Sequence, residues 1–239
     1  MEEKLIEEDA YKSAEELQRQ IDNKYSHNPK YINQYHKLYE RKRIWENNTW
    51  LGIPCWKLPM DAFVIQELIY KTRPDIIIET GTGHGGSALF YASVCELIGH
   101  GRVLSVDIDR EKFNSTLNRW GNTKCEERIS FFIGDSIETV RSLGDYIDKN
   151  CMVILDSWHS REHVYKEMLV YSKFVKSGGY MIIEDSHAAG NPVPWEHEDD
   201  GPMGAILQWM HSYGDKWEID RECEKHLLTF NPRGYLRRK

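Results

Sequence analysis

This sequence of 239 residues lacks the features of several protein classes. It has no apolar run approaching the roughly 18 residues that a membrane-spanning helix needs. Its acidic beginning, MEEKLIEEDAYKSAEEL, lacks the apolar core of a secretory signal. Lys and Arg number 31 against 38 Asp and Glu, and the formal net charge of −7 argues against a general nucleic-acid coat or a basic membrane-surface protein. These absences predict a cytoplasmic protein that binds neither nucleic acid nor membrane.

Cysteine is scarce and scattered. The five cysteines are an odd number without a CxxC pair, so a disulfide framework and a structural zinc site are excluded. Cys95 and Cys151 lie inside apolar segments and are predicted to be small core residues. By contrast, 40% hydrophobic and 12% aromatic residues are ample for a packed core and exclude wholesale disorder.

The texture of the chain changes near residue 49. Residues 1–48 predict an N-terminal helical appendage, with helices near 5–22 and 31–47. The rest, 49–239, alternates helical stretches with apolar strand-like runs: DIIIET (75–80), RVLSVDI (102–108), ISFFIG (129–134), CMVILD (151–156) and GYMIIED (179–185). This alternation predicts one α/β domain with a doubly wound, Rossmann-like, mostly parallel sheet. KWEID (216–220) and HLLTF (226–230) predict a C-terminal antiparallel hairpin.

Acidic residues follow every strand of the predicted parallel sheet. The ligand crevice of such a sheet lies outside the carboxyl ends of its strands. The candidate site residues there are Glu79, Asp107, Asp135, Asp156, Glu184 and Asp185. An acid in each loop is a poor way to hold phosphates, but it suits hydroxyls, an ammonium group or a metal ion.

The loop ETGTGHGGS satisfies GxGxxG at Gly81, Gly83 and Gly86. It follows the first strand and opens a helix, and this context predicts a cofactor cradle. Glu79 would repel a pyrophosphate, whereas its carboxylate can meet the ammonium group of an amino-acid moiety.

Two further acids have alternative interpretations. Asp107 can accept both hydroxyls of a ribose, or it can cap the helix that follows Asp109. Asp135 and Ser136 can contact an adenine edge, or Asp135 can cap the helix SIETVRSL.

Two histidines and a tryptophan follow the last two strands. His159, three residues after Asp156, is predicted to be a general base, because imidazole exchanges protons near neutral pH; the alternative is a capping or surface histidine. His187 is interpreted as a substrate or metal neighbour. The long loop 186–202 predicts an acceptor lid, in which Trp195 offers a face to a sugar ring.

The sequence from about Trp50 to Arg238 resembles the cephalosporin hydroxylase family of class I S-adenosylmethionine-dependent methyltransferases. The resemblance rests on WLGIPCWKLPMD, RPDIIIETGTGHGGSALF, GHGRVLSVDID, VILDSWHSREHV, GGYMIIEDS and LLTFNPRGYLRR. This family contains sugar and natural-product O-methyltransferases. The resemblance therefore implies methyl transfer to a hydroxyl of such an acceptor, in an enzyme that forms homo-oligomers.

The resemblance also implies site residues. The S-adenosylmethionine site would comprise Glu79, Gly81, Gly83, Gly85, Ser87, Asp107 and Asp135, with Ser136 beside it. A divalent metal, Mg²⁺ or Mn²⁺, would lie at Asp156, Glu184 and Asp185, an arrangement similar to that of catechol O-methyltransferase.

Two other functions stay open at this point. An NAD-dependent oxidoreductase would also use GxGxxG and Asp107, although no acid/base pair for hydride transfer is evident and Glu79 sits awkwardly for a pyrophosphate. A non-catalytic cofactor-binding partner of an oxygenase would bind S-adenosylmethionine without transferring its methyl group.

Overall fold

The computed structural model describes residues 29–109, 111, 124–194 and 199–239. Its α-helices are α1 Pro29–Arg41, α2 Pro59–Thr72, α3 Gly86–Leu97, α4 Ser136–Thr139, α5 Arg161–Tyr171 and α6 Gly201–Tyr213. Its strands are β1 Thr49–Trp50, β2 Ile53–Pro54, β3 Ile76–Thr80, β4 Arg102–Asp107, β5 Ile129–Ile133, β6 Cys151–Leu155, β7 Tyr180–Ile183, β8 Trp217–Ile219 and β9 Tyr235–Arg238. Short 3₁₀ helices are Ile44–Asn47, Lys124–Arg128, Val140–Tyr146, Ser172–Phe174 and Arg221–Glu224. The helix predicted near 5–22 and most of the helical stretch 111–120 lie outside the described residues.

A seven-stranded sheet with the order β5-β4-β3-β6-β7-β9-β8 forms the centre of the molecule. The first five strands of this order run parallel, and β9 is antiparallel to both β7 and β8. Strands β3 and β6 are buried along their whole length, which explains the run of isoleucines that begins β3 and the unbroken apolar sequence of β6. The predicted doubly wound α/β sheet is confirmed. Its strand order reverses between β3 and β6, where a ligand crevice is expected.

The final antiparallel pair uses a different segment from the one predicted. Its second strand is β9, whereas residues 226–230 form an irregular loop. Asp61 of α2 holds that loop. Its Oδ1 accepts hydrogen bonds from the hydroxyls of Thr229 (2.5 Å) and Tyr235 (2.9 Å), and its Oδ2 accepts one from the backbone N–H of Phe230 (2.8 Å). A buried carboxylate needs such donors, and meeting this need takes the segment out of the sheet.

Helix α1 packs against this same C-terminal loop. Tyr39, Leu58, Leu228 and Phe230 form one buried cluster. The buried ring of His36 stacks on that of His187, with centroids 4.9 Å apart. These contacts bring the end of α1 beside the carboxyl ends of the central strands.

None of the helices among the described residues is long and apolar enough to span a membrane. Cys95 and Cys151 are buried in the two large hydrophobic clusters, as predicted for core thiols.

Candidate active site

The glycine-rich turn after β3 lies where the strand order reverses. Gly81 has a φ of 82°, and a Cβ there would lie 1.9 Å from the carbonyl oxygen of Asp156. Only glycine fits such an approach of two backbones. Gly85 also has a positive φ, 79°, and precedes the first residue of α3. The turn thus brings the free N–H groups at the start of α3 to the crevice.

A cavity of about 760 Å³ lies over this turn. Its volume is in the range of roughly 300–1,000 Å³ that is usual for ligand pockets. The predicted cofactor residues that line it are Gly81, Gly83, Ser87, Asp107, Asp135 and Ser136. The structure therefore brings together six of the eight residues predicted for the cofactor.

Asp107 and Asp135, two acids predicted to bind the cofactor, already accept hydrogen bonds from the backbone. Asp107 accepts one from the N–H of Gly83 at Oδ2 and one from the N–H of Asp109 at Oδ1, both at 2.8 Å. Asp135 caps α4, because its Oδ1 accepts from the N–H groups of Ile137 and Glu138. Asp135 thus forms the cap while it also lines the cavity.

Glu79 is fully buried at the end of β3 and does not line the cavity itself. The hydroxyl of Ser105 donates a hydrogen bond of 2.5 Å to its Oε2. Burial raises the pKa of Glu79 to about 7, although Lys57 and this hydrogen bond act in the opposite direction. Its contact with a cofactor ammonium group stays a prediction.

Among the described residues, Asp156, His159 and Asp185 form a group whose possible ligand atoms all lie within 4.8 Å of one another. Nε2 of His159 lies 3.3 Å from Oδ2 of Asp185 and 4.0 Å from Oδ1 of Asp156. Asp185 has a left-handed backbone, with a φ of 57°. Such costly conformations concentrate at functional sites. All three residues also line the large cavity.

Lys57 lies beside this group and is 4% exposed. Its Nζ is 3.1 Å from Oδ2 of Asp156 and 2.8 Å from Oε1 of Glu184. Burial opposes the charged form of Lys57, but the two carboxylates raise its pKa well above the ordinary value. Burial likewise raises the pKa of Asp156 and of Glu184, whereas Lys57 lowers both. Glu184, the third predicted metal ligand, thus contacts Lys57 and lies outside this group of possible ligands.

The short β1–β2 hairpin places Lys57 in the site. The hairpin packs so closely on the start of α3 that a Cβ on Gly86 would lie 2.1 Å from the carbonyl oxygen of Pro54. Trp56 follows this hairpin, and its ring meets that of His84 edge-on at 4.5 Å. Trp45 meets Trp56 in the same way at 5.3 Å.

A second cavity of about 310 Å³ adjoins the large one. The two share Trp45, Trp56 and Asp185. Glu40, Arg43, His187 and Phe230 complete the lining of the small cavity.

His187, predicted as a substrate or metal neighbour, is buried in the wall of the small cavity. It stacks on Phe230 at 4.3 Å, its Nδ1 lies 2.9 Å from the carbonyl oxygen of Phe230, and its Nε2 lies 3.6 Å from Oε2 of Glu40. Trp195, the other predicted substrate residue, lies outside the described residues.

Sequence reasoning missed several residues of these walls. Trp45 and Trp56 gave one signal, the density of tryptophan in WENNTWLGIPCW. His163 gave none, because it lies inside the helical pattern of α5. Its Nε2 lies 3.1 Å from Oγ of Ser157. Contact with the side chain of Glu167 raises the pKa of His163.

Comparison of the sequence with known proteins identifies one family. A family model described as "Rhamnosyl O-methyltransferase/CmcI" matches residues 42–239. The rhamnosyl O-methyltransferase of Mycobacterium leprae is 33% identical over 213 residues, which cover 86% of this chain and 90% of the relative. That of Mycobacterium tuberculosis H37Rv is 32% identical over 205 residues, covering 85% and 83%.

Solved structures show the same fold. One described as "cmcI-D160 Mg-SAM" has a TM-score of 0.57 and 20% identity, and the match covers 81% of this chain and 77% of that one. The O-methyltransferase TomG from Streptomyces achromogenes, solved in complex with SAM, has a TM-score of 0.53 and 17% identity, with coverage of 66% and 70%.

Proposed function

Because this chain belongs to the rhamnosyl O-methyltransferase/CmcI family and is an S-adenosylmethionine-dependent O-methyltransferase, we propose that its acceptor is a sugar hydroxyl and that a divalent cation takes part. One observation carries the proposal: two cavities meet at Asp185. Together with Asp156 and His159, Asp185 forms the cluster that we call the acid group. The larger cavity is lined by six of the eight residues predicted for the cofactor. The smaller leaves room for an acceptor beside it.

The residues of the large cavity fit S-adenosylmethionine. Gly81 packs against the backbone of Asp156 so closely that no side chain would fit, and this contact holds the glycine-rich turn at the cavity. Asp107 would hold the ribose hydroxyls, and Asp135 with Ser136 would hold the adenine. Glu79, which lies buried behind this turn, stays the predicted partner of the ammonium group of the methionine moiety. When bound, the cofactor supplies an electrophilic methyl group on its sulfonium.

The acid group fits a hard divalent cation. Asp156 and Asp185 are partly exposed carboxylates whose charges repel each other, and a cation removes this conflict. Oxygen ligands suit Mg²⁺ or Mn²⁺. Glu184 stays a predicted third ligand. A bound cation supplies Lewis acidity that makes an acceptor hydroxyl easier to deprotonate.

The chain's own residues orient the reactants and accept the proton. Nε2 of His159 takes the proton of the acceptor hydroxyl, and Asp185, 3.3 Å away, stabilises the imidazolium that results. Lys57 holds Asp156 from the buried side. The two cavities fix the acceptor beside the methyl group, and such positioning is a large part of catalysis between two substrates.

Labelled methyl transfer to a panel of methyl glycopyranosides, including rhamnosides, tests this proposal. We expect a labelled O-methyl sugar with Mg²⁺, no product after treatment with EDTA, and recovery when Mg²⁺ is restored. Catechol serves as the comparison acceptor. Full activity in EDTA would contradict the metal, and methylation of catechol without any sugar would contradict the acceptor class.

A further inference from the structure

We infer that the small cavity is the acceptor subsite, and that it holds one pyranose ring against Trp56 with a hydroxyl at Glu40 and Trp45. This inference rests on the proposed function, since it states where the sugar lies and what selects it. It assigns acceptor recognition to the end of α1 and the segment after it, in addition to the lid predicted from the loop 186–202.

The position of the cavity supports this assignment. Asp185 belongs both to its wall and to that of the cofactor cavity. A ring bound there would therefore present a hydroxyl to Asp185, which lies 3.3 Å from Nε2 of His159. A volume of about 310 Å³ is at the lower end of the roughly 300–1,000 Å³ of ligand pockets and suits a single ring.

The aromatic wall suits the apolar face of a sugar. Trp56 is 44% exposed although its ring is braced by Trp45 on one side and His84 on the other. Arg43 lies with its guanidinium carbon 5.7 Å from the centre of the Trp45 ring and pairs with Glu46. A rigid, exposed indole offers a large contact area at little cost in side-chain entropy.

Two polar atoms in the wall lack hydrogen bonds from the residues that the structure describes. They are Nε1 of Trp45, a donor, and Oε2 of Glu40, an acceptor; both are buried, and the ion-pair contact of Oε2 with Nε2 of His187 is 3.6 Å long, beyond hydrogen-bond distance. Buried polar atoms are nearly always satisfied by protein, water or ligand. A hydroxyl both donates and accepts, so hydroxyls are the groups that satisfy this pair.

The same pair favours a sugar over a planar aromatic diol. A catechol has two adjacent hydroxyls, which it would present together to the acid group. It would then leave Glu40 and Trp45 unsatisfied. A pyranose has hydroxyls around its ring and can place one at Asp185 while others reach the opposite wall.

Binding measurements with variants of the wall test the inference without requiring turnover. Saturation-transfer NMR would follow methyl glycopyranosides on the protein with S-adenosylhomocysteine and Mg²⁺. We expect Glu40→Gln and Trp56→Ala each to raise the Kd of the bound sugar about 10-fold. The exposed residues Glu126 and Tyr70 provide matched controls, and Glu126→Gln and Tyr70→Ala should leave it unchanged.

Calorimetry of cofactor binding separates the possible outcomes. Glu40 lines only the small cavity, so Glu40→Gln should keep the cofactor Kd of the parent protein. If sugars bind and are methylated but Glu40→Gln and Trp56→Ala bind them as tightly as the parent, the subsite is wrong and the proposed function stands. If no glycopyranoside binds while catechol does, both are wrong.

Discussion

The two cavities that meet at Asp185 are built in different ways. The wall of the cofactor cavity comes mostly from turns that directly follow β3, β4, β5 and β6. The distinctive wall of the small cavity joins Glu40 of α1 to His187 and Phe230, which are far away in the sequence. The fold itself therefore determines the cofactor side. Long-range packing determines the small cavity, so the selectivity of the proposed acceptor subsite can change without altering the sheet.

Removing the charge of Asp185, which lines both cavities, should have the largest effect on turnover. Asp185→Asn should lower the turnover number about 10²–10³-fold, because the site loses a cation ligand that contributes several kcal/mol to the transition state. The cofactor Kd should change little, since the glycine turn and Asp107 are untouched. Steady-state kinetics and calorimetry on one preparation check both. A parallel loss of cofactor affinity would mean that the two cavities are not separable.

A change confined to the cofactor side should have a smaller effect. Asp107→Ala should weaken S-adenosylmethionine by about 1.5–3 kcal/mol, through loss of charge-assisted hydrogen bonds to the ribose. Binding of the acceptor sugar should stay the same. Calorimetric titration measures the affinity, and thermal unfolding confirms that the variant is folded. An unchanged cofactor affinity in the folded variant would refute the assignment of Asp107.

The smallest effect concerns the pH dependence of stability on the acceptor side. Burial raises the pKa of Asp61, although hydrogen bonds from Thr229, Phe230 and Tyr235 oppose the shift. Since the folded state then holds the proton more tightly, this contribution to stability is full below the unfolded pKa of about 3.9. It is lost as the pH rises through the folded value.

Urea unfolding of the parent protein and of Asp61→Asn across this pH range measures the effect. We expect the free energy of unfolding of the parent to fall relative to that of the variant as the pH rises from about 4. A difference between the two proteins that stays constant with pH would contradict the shift. The cofactor Kd, measured at the same pH values, should not follow this change in the free energy of unfolding.

Residues at strand ends were predictable because apolar strands mark where the crevice lies. This rule alone places four residues at the carboxyl ends of the parallel strands: Gly81, Asp107, Asp156 and Asp185. The contact of Lys57 with Glu184 was not predictable. It depends on a segment outside the sheet, and nothing in the periodicity of the chain reports such a contact.

The C-terminal pair of strands shows the same limit. HLLTF has the apolar composition of a short strand, yet Asp61 binds Thr229 and Phe230 and holds the segment as a loop. A buried carboxylate requires hydrogen-bond donors, and this requirement overrides a local β preference. That loop supplies Phe230 to the small cavity, which is why sequence reasoning placed most of the residues predicted for the cofactor along the large cavity but missed most of the small one.

The central claim is that a divalent cation at Asp156 and Asp185 joins the two cavities. Electron paramagnetic resonance of free Mn²⁺ titrated with the protein tests it without any acceptor. The account predicts one bound ion per chain in the parent protein, at least about 10-fold weaker binding in Asp156→Asn and Asp185→Asn, and unchanged binding in Asp107→Asn. Equal Mn²⁺ affinity in the parent and in the first two variants would contradict it.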